Sequence, residues 1–126
     1  MRLQFATTPI LVPCTISGPD GTGDVNLAFD TGAAITVLSS RMVRQLGYDL
    51  VSSPESMLLT TASGIVRAPI ITLMTLNSMG VLRTDFPVAV HSLPASANVD
   101  RLLGTDSLTD LIVDLNFKKK WIDIRS

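Results

Sequence analysis

Short runs of alternating apolar and polar residues, separated by glycine, proline or asparagine, dominate the chain. Val25, Leu27 and Phe29 fall on one face of an extended segment, because side chains alternate sides along a strand. Further runs of strand type lie at 10–12, 57–61, 65–68, 70–76, 81–90, 112–115 and 121–124. The glycine-containing stretches 18–23, 62–64 and 77–80 between them favour hairpin connections. The pattern predicts a mostly β domain.

Two short segments depart from the strand pattern. Residues 41–46 follow Ser39-Ser40 and precede Gly47, which is the spacing of a capped short helix. Thr105 and Asp106 suit the first turn of a second short helix. Many short strands with one or two short helices predict a closed or sandwiched β-barrel rather than a βαβ sheet.

Length and composition favour one packed domain that spans residues 1–126, because 46% of the chain is hydrophobic and only 17% is charged. Ten basic and eleven acidic residues give a net charge of -1, so nucleic acid is not an expected partner. No apolar run reaches the roughly 18 to 20 residues of a membrane-spanning helix. We expect a soluble chain, compatible with the cytoplasm, and membrane association only as part of a longer anchored protein.

The side chains that most often bind metals or act as nucleophiles are scarce. Cys14 is the only cysteine and His91 the only histidine, which excludes an internal disulfide and a structural Cys/His zinc site. Neither residue has partners in the sequence that indicate a catalytic triad or dyad. We therefore expect both residues to be structural, and we expect no metal and no cofactor.

A carboxylate follows directly on the apolar strand that ends at Phe29. In Asp30-Thr31-Gly32-Ala33 the glycine allows the backbone to turn sharply after the aspartate. Taken alone, Asp-Thr-Gly is also an ordinary turn in which the aspartate caps its own backbone. Its context in the sequence decides between an ordinary turn and a functional carboxylate. Four landmarks together resemble retropepsin-like aspartic proteases of the single-domain cellular and bacterial type: 27–33, 37–39, the hairpin tip 62–64 and the apolar-apolar-glycine loop 102–108.

The resemblance implies an aspartic endopeptidase that hydrolyses peptide bonds in a peptide or protein substrate. Such chemistry needs two aspartates, and 126 residues are too few for two lobes, so a homodimer would supply Asp30 twice. Repulsion between the two carboxyls leaves them sharing one proton. The ionised carboxyl would then activate the attacking water without a cofactor. Thr31, Gly32 and Ala33 complete the active-site loop, with the Thr31 hydroxyl joining the loops of the two subunits.

The resemblance also assigns two elements around Asp30. Ser63-Gly64 would form the tip of a flap hairpin that closes over the peptide. Leu102-Leu103-Gly104 would form the loop that packs beneath Asp30. In viral members the terminal strands build the dimer sheet, and residues 1–5 and 121–126 are the candidates for that role here.

One departure from viral members limits what the resemblance implies. Those enzymes usually carry acidic residues just after the motif, where this chain has Ala34 and Ile35, so contacts with substrate side chains cannot be transferred. A second function remains open. On the same fold, a catalytically inactive peptide-binding or dimerisation module would have the same strand pattern.

Overall fold

The computed structural model describes residues 1–52, 55–61, 64–92 and 101–126. Strands account for most of them, which confirms the predicted mostly β class. In chain order the strands are β1 (Arg2–Gln4), β2 (Leu11–Gly18), β3 (Gly21–Phe29), β4 (Val37–Leu38), β5 (Glu55–Thr61), β6 (Gly64–Ser78), β7 (Val81–Val90), β8 (Arg101–Leu103), β9 (Ile112–Asn116) and β10 (Trp121–Arg125). The α-helix α1 spans Ser40–Gln45, and a 3-10 helix spans Thr105–Leu108.

Six strands close into a barrel. They pair in the order β2-β3-β8-β4-β7-β6, and β2 then pairs again with β6 from Cys14↔Ser78 to Ser17↔Thr75. This second pairing completes the ring. β5 pairs with β6 outside the ring and forms the predicted hairpin with it. The closed barrel predicted from the sequence is confirmed.

The barrel is filled from alternate positions of its strands. Val12, Leu27, Leu73 and Val88 come from four different strands and are fully buried in one apolar cluster. Each such side chain contributes about 1.5–3 kcal/mol by leaving water. Val43 adds the buried face of α1 to the same cluster. The interior therefore forms a rigid support for the loops at the strand ends.

A second sheet with the order β1-β10-β9 packs beside the barrel. Ile122 and Ile124 of β10 are buried in the barrel cluster, whereas residues 117–120 between β9 and β10 are exposed. β10 is the central strand, since β1 pairs with one of its edges and β9 with the other. The C-terminal segment proposed for a dimer sheet therefore has both edges occupied within its own chain, and β1 and β9 are the outer strands.

The first hairpin turn lies within the predicted stretch 18–23. β2 continues to Gly18 and β3 begins at Gly21. Only Pro19-Asp20 remains at the tip, and Gly21 has φ +138, a conformation that favours glycine. The other glycines of this stretch belong to the paired strands.

The predicted first helix is present, and the second is reduced to one turn. Ser39 caps α1 by accepting a hydrogen bond from the Met42 N–H at 3.3 Å. The segment that begins at Thr105 forms only a 3-10 turn that ends at Leu108. Within the described part of the chain, no helix is both long enough and apolar enough to cross a membrane.

Candidate active site

Asp30 is the first residue after β3, and the backbone around it is held from two directions. The Phe29 N–H donates to the Ile10 carbonyl at 2.8 Å, and the Asp30 N–H donates to the Leu103 carbonyl at 3.1 Å. The parallel pairing of β3 with β8 places Phe29 opposite Leu103. The backbone that carries the carboxylate is therefore held by the Ile10 and Leu103 carbonyls. Asp30 itself is only partly exposed.

The loop that follows folds back on the Asp30 side chain. The Gly32 N–H donates to Asp30 Oδ1 at 2.8 Å, and the Ala33 N–H donates to the Asp30 carbonyl at 3.2 Å. A Cβ at Gly32 would lie 3.1 Å from that same carboxylate oxygen, a close contact that glycine avoids. The self-capping turn considered from the sequence is thus present. Among the described residues, Asp30 Oδ2 accepts no hydrogen bond, so this turn leaves one carboxylate oxygen available.

The loop after β8 crosses directly beneath the Asp30 loop. A Cβ on Gly104 would lie 2.6 Å from the Ile35 carbonyl carbon and 2.9 Å from the Ala33 oxygen, so the crossing requires glycine. The Thr105 N–H donates to the Ala33 carbonyl at 2.8 Å. Leu103 is buried in the main core below this crossing. The structure therefore brings the predicted 102–104 loop against the predicted Asp30 loop.

The sequence reasoning did not connect two polar residues of this crossing, the fully buried Thr36 and the partly buried Asp106. Thr36 is fully buried; its N–H donates to Asp106 Oδ2 at 3.0 Å and its hydroxyl donates to Asp106 Oδ1 at 2.8 Å. The Gly104 N–H in turn donates to the Thr36 hydroxyl at 3.1 Å. A threonine within the apolar run 35–38 was the available signal, because a buried hydroxyl needs a partner.

The β5–β6 hairpin lies over a small apolar cluster. Val37, Ala68 and Ala89 are its buried members, and the partly buried side chains packed against them are Ile35, Met57, Leu59 and Leu102. The hairpin pairs as far as Thr61↔Gly64, and Gly64 has φ +124. Ser63, the other predicted tip residue, lies outside the described residues.

Thr31 faces outward beside an uncovered apolar surface. It is exposed, and its hydroxyl has no hydrogen-bond partner in the part of the chain that the structure describes. A shallow pocket of about 260 Å³ adjoins it, lined by Thr8, Pro9, Ile10, Phe29, Asp30, Thr31, Leu115 and Phe117. Leu115 is 39% exposed and Phe117 is 61% exposed. The candidate carboxylate thus borders a surface that a second protein chain can cover.

A second cavity, larger than the pocket at Asp30, has less suitable chemistry. It measures about 520 Å³, lies between β1, β2 and β3, and contains Cys14 but not Asp30. Burial raises the pKa of the Cys14 thiol to about 12, which disfavours the reactive thiolate. No cluster of three His, Cys, Asp or Glu side chains suited to a metal ion occurs within the described ranges. The Asp30 loop is therefore the better candidate despite its smaller pocket.

Residues 12–110 match the family model described as "gag-polyprotein putative aspartyl protease". No curated protein matches the sequence. The fold is similar to the crystal structure of a retropepsin-like aspartic protease from Rickettsia conorii, with a TM-score of 0.70 and 18% sequence identity, covering 97% of this chain and 86% of that one. At this identity the structural likeness concerns the fold alone. Because the family model spans most of the sequence, the chain belongs to the gag-polyprotein aspartyl protease family, which confirms its kinship with the retropepsin-like aspartic proteases.

Proposed function

We propose that the chain is one subunit of a homodimeric aspartic endopeptidase, in which each subunit contributes Asp30. The observation that carries the proposal is the Asp30 loop itself. One carboxylate oxygen is held by the Gly32 N–H, while the backbone is held by Leu103 and Ala33. Such a loop presents a carboxyl group in one orientation, which is what general acid–base chemistry requires.

The proposed mechanism uses the two Asp30 carboxyls as a pair. When they lie within hydrogen-bond distance of each other, like-charge repulsion leaves one ionised and one protonated. The ionised carboxyl takes a proton from a bound water, and the protonated carboxyl donates its hydrogen to the scissile carbonyl oxygen. The water oxygen bonds to the carbonyl carbon and a gem-diol forms. The carboxyl that took the water proton then donates it to the amide nitrogen, while the other carboxylate takes a proton from one gem-diol hydroxyl. The C–N bond breaks and leaves a carboxylic acid and an amine.

A second copy of the chain is the proposed source of the second carboxyl. The sequence contains one Asp-Thr-Gly, and the apolar surface beside Asp30 is formed by Leu115 and Phe117 near the outer strand β9. Since β10 is already paired on both edges, we assign the dimer contact to β9 and its following turn rather than to residues 121–126. In such a dimer the exposed Thr31 hydroxyl would reach the partner's active-site loop.

The β5–β6 hairpin is the proposed flap. Leu58 and Ile65 are both exposed on its two strands, although apolar side chains of this size are more often buried. A bound peptide would cover such side chains, and backbone groups near Ser63-Gly64 would donate hydrogen bonds to it. Among the described strands, β5 lies at the end of the sheet and pairs with β6.

The proposal is tested by incubating the purified protein with a library of unstructured peptides and identifying new termini by mass spectrometry. We expect cleavage by the wild type and a loss of at least about 10³-fold in Asp30→Asn, whose amide cannot accept the proton. Asp24→Asn is the matched control, because it makes the same change at an exposed position of β3. Peptide binding without cleavage by the wild type would instead establish the inactive binding module.

Subunit mixing tests whether the site is composite. After exchange between equal amounts of wild-type and Asp30→Asn chains, random pairing leaves roughly a quarter of dimers with two aspartates. Activity per total protein should fall to that fraction of the wild-type value. Retention of half the activity after demonstrated exchange would show that each wild-type chain acts alone.

A further inference from the structure

We propose that Asp106 and Thr36 act as a positioning pair that sets the Asp30 loop for catalysis, an inference that rests on the proposed peptidase function. The two residues are 70 positions apart in sequence, yet two hydrogen bonds join them below the candidate carboxylate. Neither residue belongs to the Asp-Thr-Gly motif at 30–32.

Thr36 is fixed through both its side chain and its backbone. Its carbonyl accepts from the Ala89 N–H of β7 at 3.0 Å, which attaches it to the barrel wall. Its hydroxyl donates to Asp106 and accepts from the Gly104 N–H, so every polar group of this fully buried residue has a partner. Such complete pairing allows one side-chain orientation only.

Asp106 is suited to this position as a carboxylate. Oδ1 accepts from the Thr36 hydroxyl and Oδ2 from the Thr36 N–H, and an asparagine side chain offers only one acceptor oxygen. The 3-10 turn that carries Asp106 is itself braced by Arg83 of β7. The Arg83 guanidinium donates through Nη2 to the Ser107 carbonyl at 3.1 Å and to the Thr109 carbonyl at 2.7 Å.

The same short segment holds both ends of the Asp30 loop. At the start of the loop, the Asp30 N–H donates to the Leu103 carbonyl. At the end, Thr36 binds Gly104 and Asp106. A shift of residues 103–106 would therefore move Asp30. In a dimer whose carboxyls must share a proton, a displacement of about 1 Å can cost on the order of 100-fold in rate.

Two substitutions of Thr36 separate positioning from packing. Thr36→Val keeps the shape and removes the hydroxyl, whereas Thr36→Ser keeps the hydroxyl and removes a methyl group. We expect Thr36→Val to lower kcat by about 10- to 100-fold with KM within about threefold of the wild type. Thr36→Ser should retain kcat within about threefold even though its smaller side chain lowers stability. Rates are measured on the best-cleaved library peptide and corrected for the folded fraction.

Asp106→Asn and the double variant test the pair as a unit. Asp106→Asn should also lower kcat. The loss of kcat in the double variant should be no greater than the larger of the two single losses. Multiplying effects in the double variant would overturn the pairing. Equal kcat losses in Thr36→Val and Thr36→Ser, or none in Thr36→Val, would overturn the positioning role.

Amide hydrogen exchange provides a readout that needs no substrate. We expect Thr36→Val to accelerate exchange at Asp30, Gly104 and Thr105, with Leu27 in the barrel unchanged. Unchanged exchange at all three amides would overturn the inference even if the wild type proves inactive. Failure of the wild type to cleave any peptide would instead refute the proposed function. An active wild type with a fully active Thr36→Val variant refutes the positioning pair alone.

Discussion

Gly104 lets the loop after β8 pass close to the backbone of the Asp30 loop, because it has no side chain. Its φ of -84 suits any residue, so the requirement for glycine comes from the 2.6 Å approach to the Ile35 backbone. We predict that Gly104→Ala lowers the free energy of unfolding by about 1–3 kcal/mol or more, because backbone must move to admit the methyl group. Chemical denaturation measures the loss.

Gly23 supplies the control for that experiment. A Cβ there would lie 3.4 Å from the Met42 sulfur, which is ordinary contact, and the position belongs to β3. Gly23→Ala should therefore change stability by much less than Gly104→Ala. Equal effects of the two substitutions would show that the crossing of the two loops tolerates a side chain.

Cys14 gives a second prediction at the scale of one residue. Burial raises its thiol pKa to about 12, so at pH 8 roughly one thiol in 10⁴ is ionised. Iodoacetamide should label the native protein very slowly at pH 8 and the denatured protein rapidly. Peptidase activity should survive the same treatment. Fast labelling of the native protein would contradict the burial of this side chain.

The sequence pattern points to Asp30 as a candidate catalytic residue but not to the residues that hold its loop. Asp-Thr-Gly is a local pattern, so residues 30–32 were recognisable without any knowledge of the fold. Asp106 was interpreted as the first-turn acid of a helix, because that is the local meaning of an aspartate at this position. Its actual partner, Thr36, is 70 residues away, and only the barrel topology brings the two together.

At the scale of elements, strands and hairpins were predictable because their period of two repeats within a few residues. The second helix was not. Its 3-10 turn ends at Leu108, and the Arg83 guanidinium of a distant strand donates to the Ser107 and Thr109 carbonyls there. This contact joins residues that are 24 and 26 positions apart, so local helix signals carry no information about it.

Tyr48 shows how a side chain extends the closure of the barrel. The β2–β6 pairing stops at Ser17↔Thr75, and beyond it the Tyr48 hydroxyl donates to the Ser17 carbonyl at 2.6 Å and accepts from the Met74 N–H at 2.9 Å. We predict that Tyr48→Phe lowers the free energy of unfolding by about 0.5–1.5 kcal/mol, because the Ser17 carbonyl and the Met74 N–H both lose their partner and only the first of these bonds is partly buried. Thermal and denaturant unfolding measure the change, and wild-type stability in Tyr48→Phe would show that water replaces the hydroxyl.

At the scale of the whole molecule, the question is which surface could contact a second copy of the chain. Of the strands in the second sheet, β9 is the outer one that adjoins the pocket at Asp30. Its Asp114 is paired with Arg125 at 2.6 Å, which offsets a charge that would otherwise oppose contact between two copies. A dimer formed there would bury Leu115 and Phe117 and bring the two Asp30 loops toward each other.

The final prediction concerns this surface. Leu115→Glu and Phe117→Glu should shift the protein to a folded monomer, since each places a charge in an apolar contact that loses water on association. Leu82→Glu is the matched control, because Leu82 is 58% exposed on β7, outside the pocket. Sedimentation over a range of concentrations gives the dimer fraction, and circular dichroism verifies the fold. Peptidase activity should fall in proportion to the dimer fraction. If Leu115→Glu and Phe117→Glu both remain folded, dimeric and active, the dimer contact lies on another face.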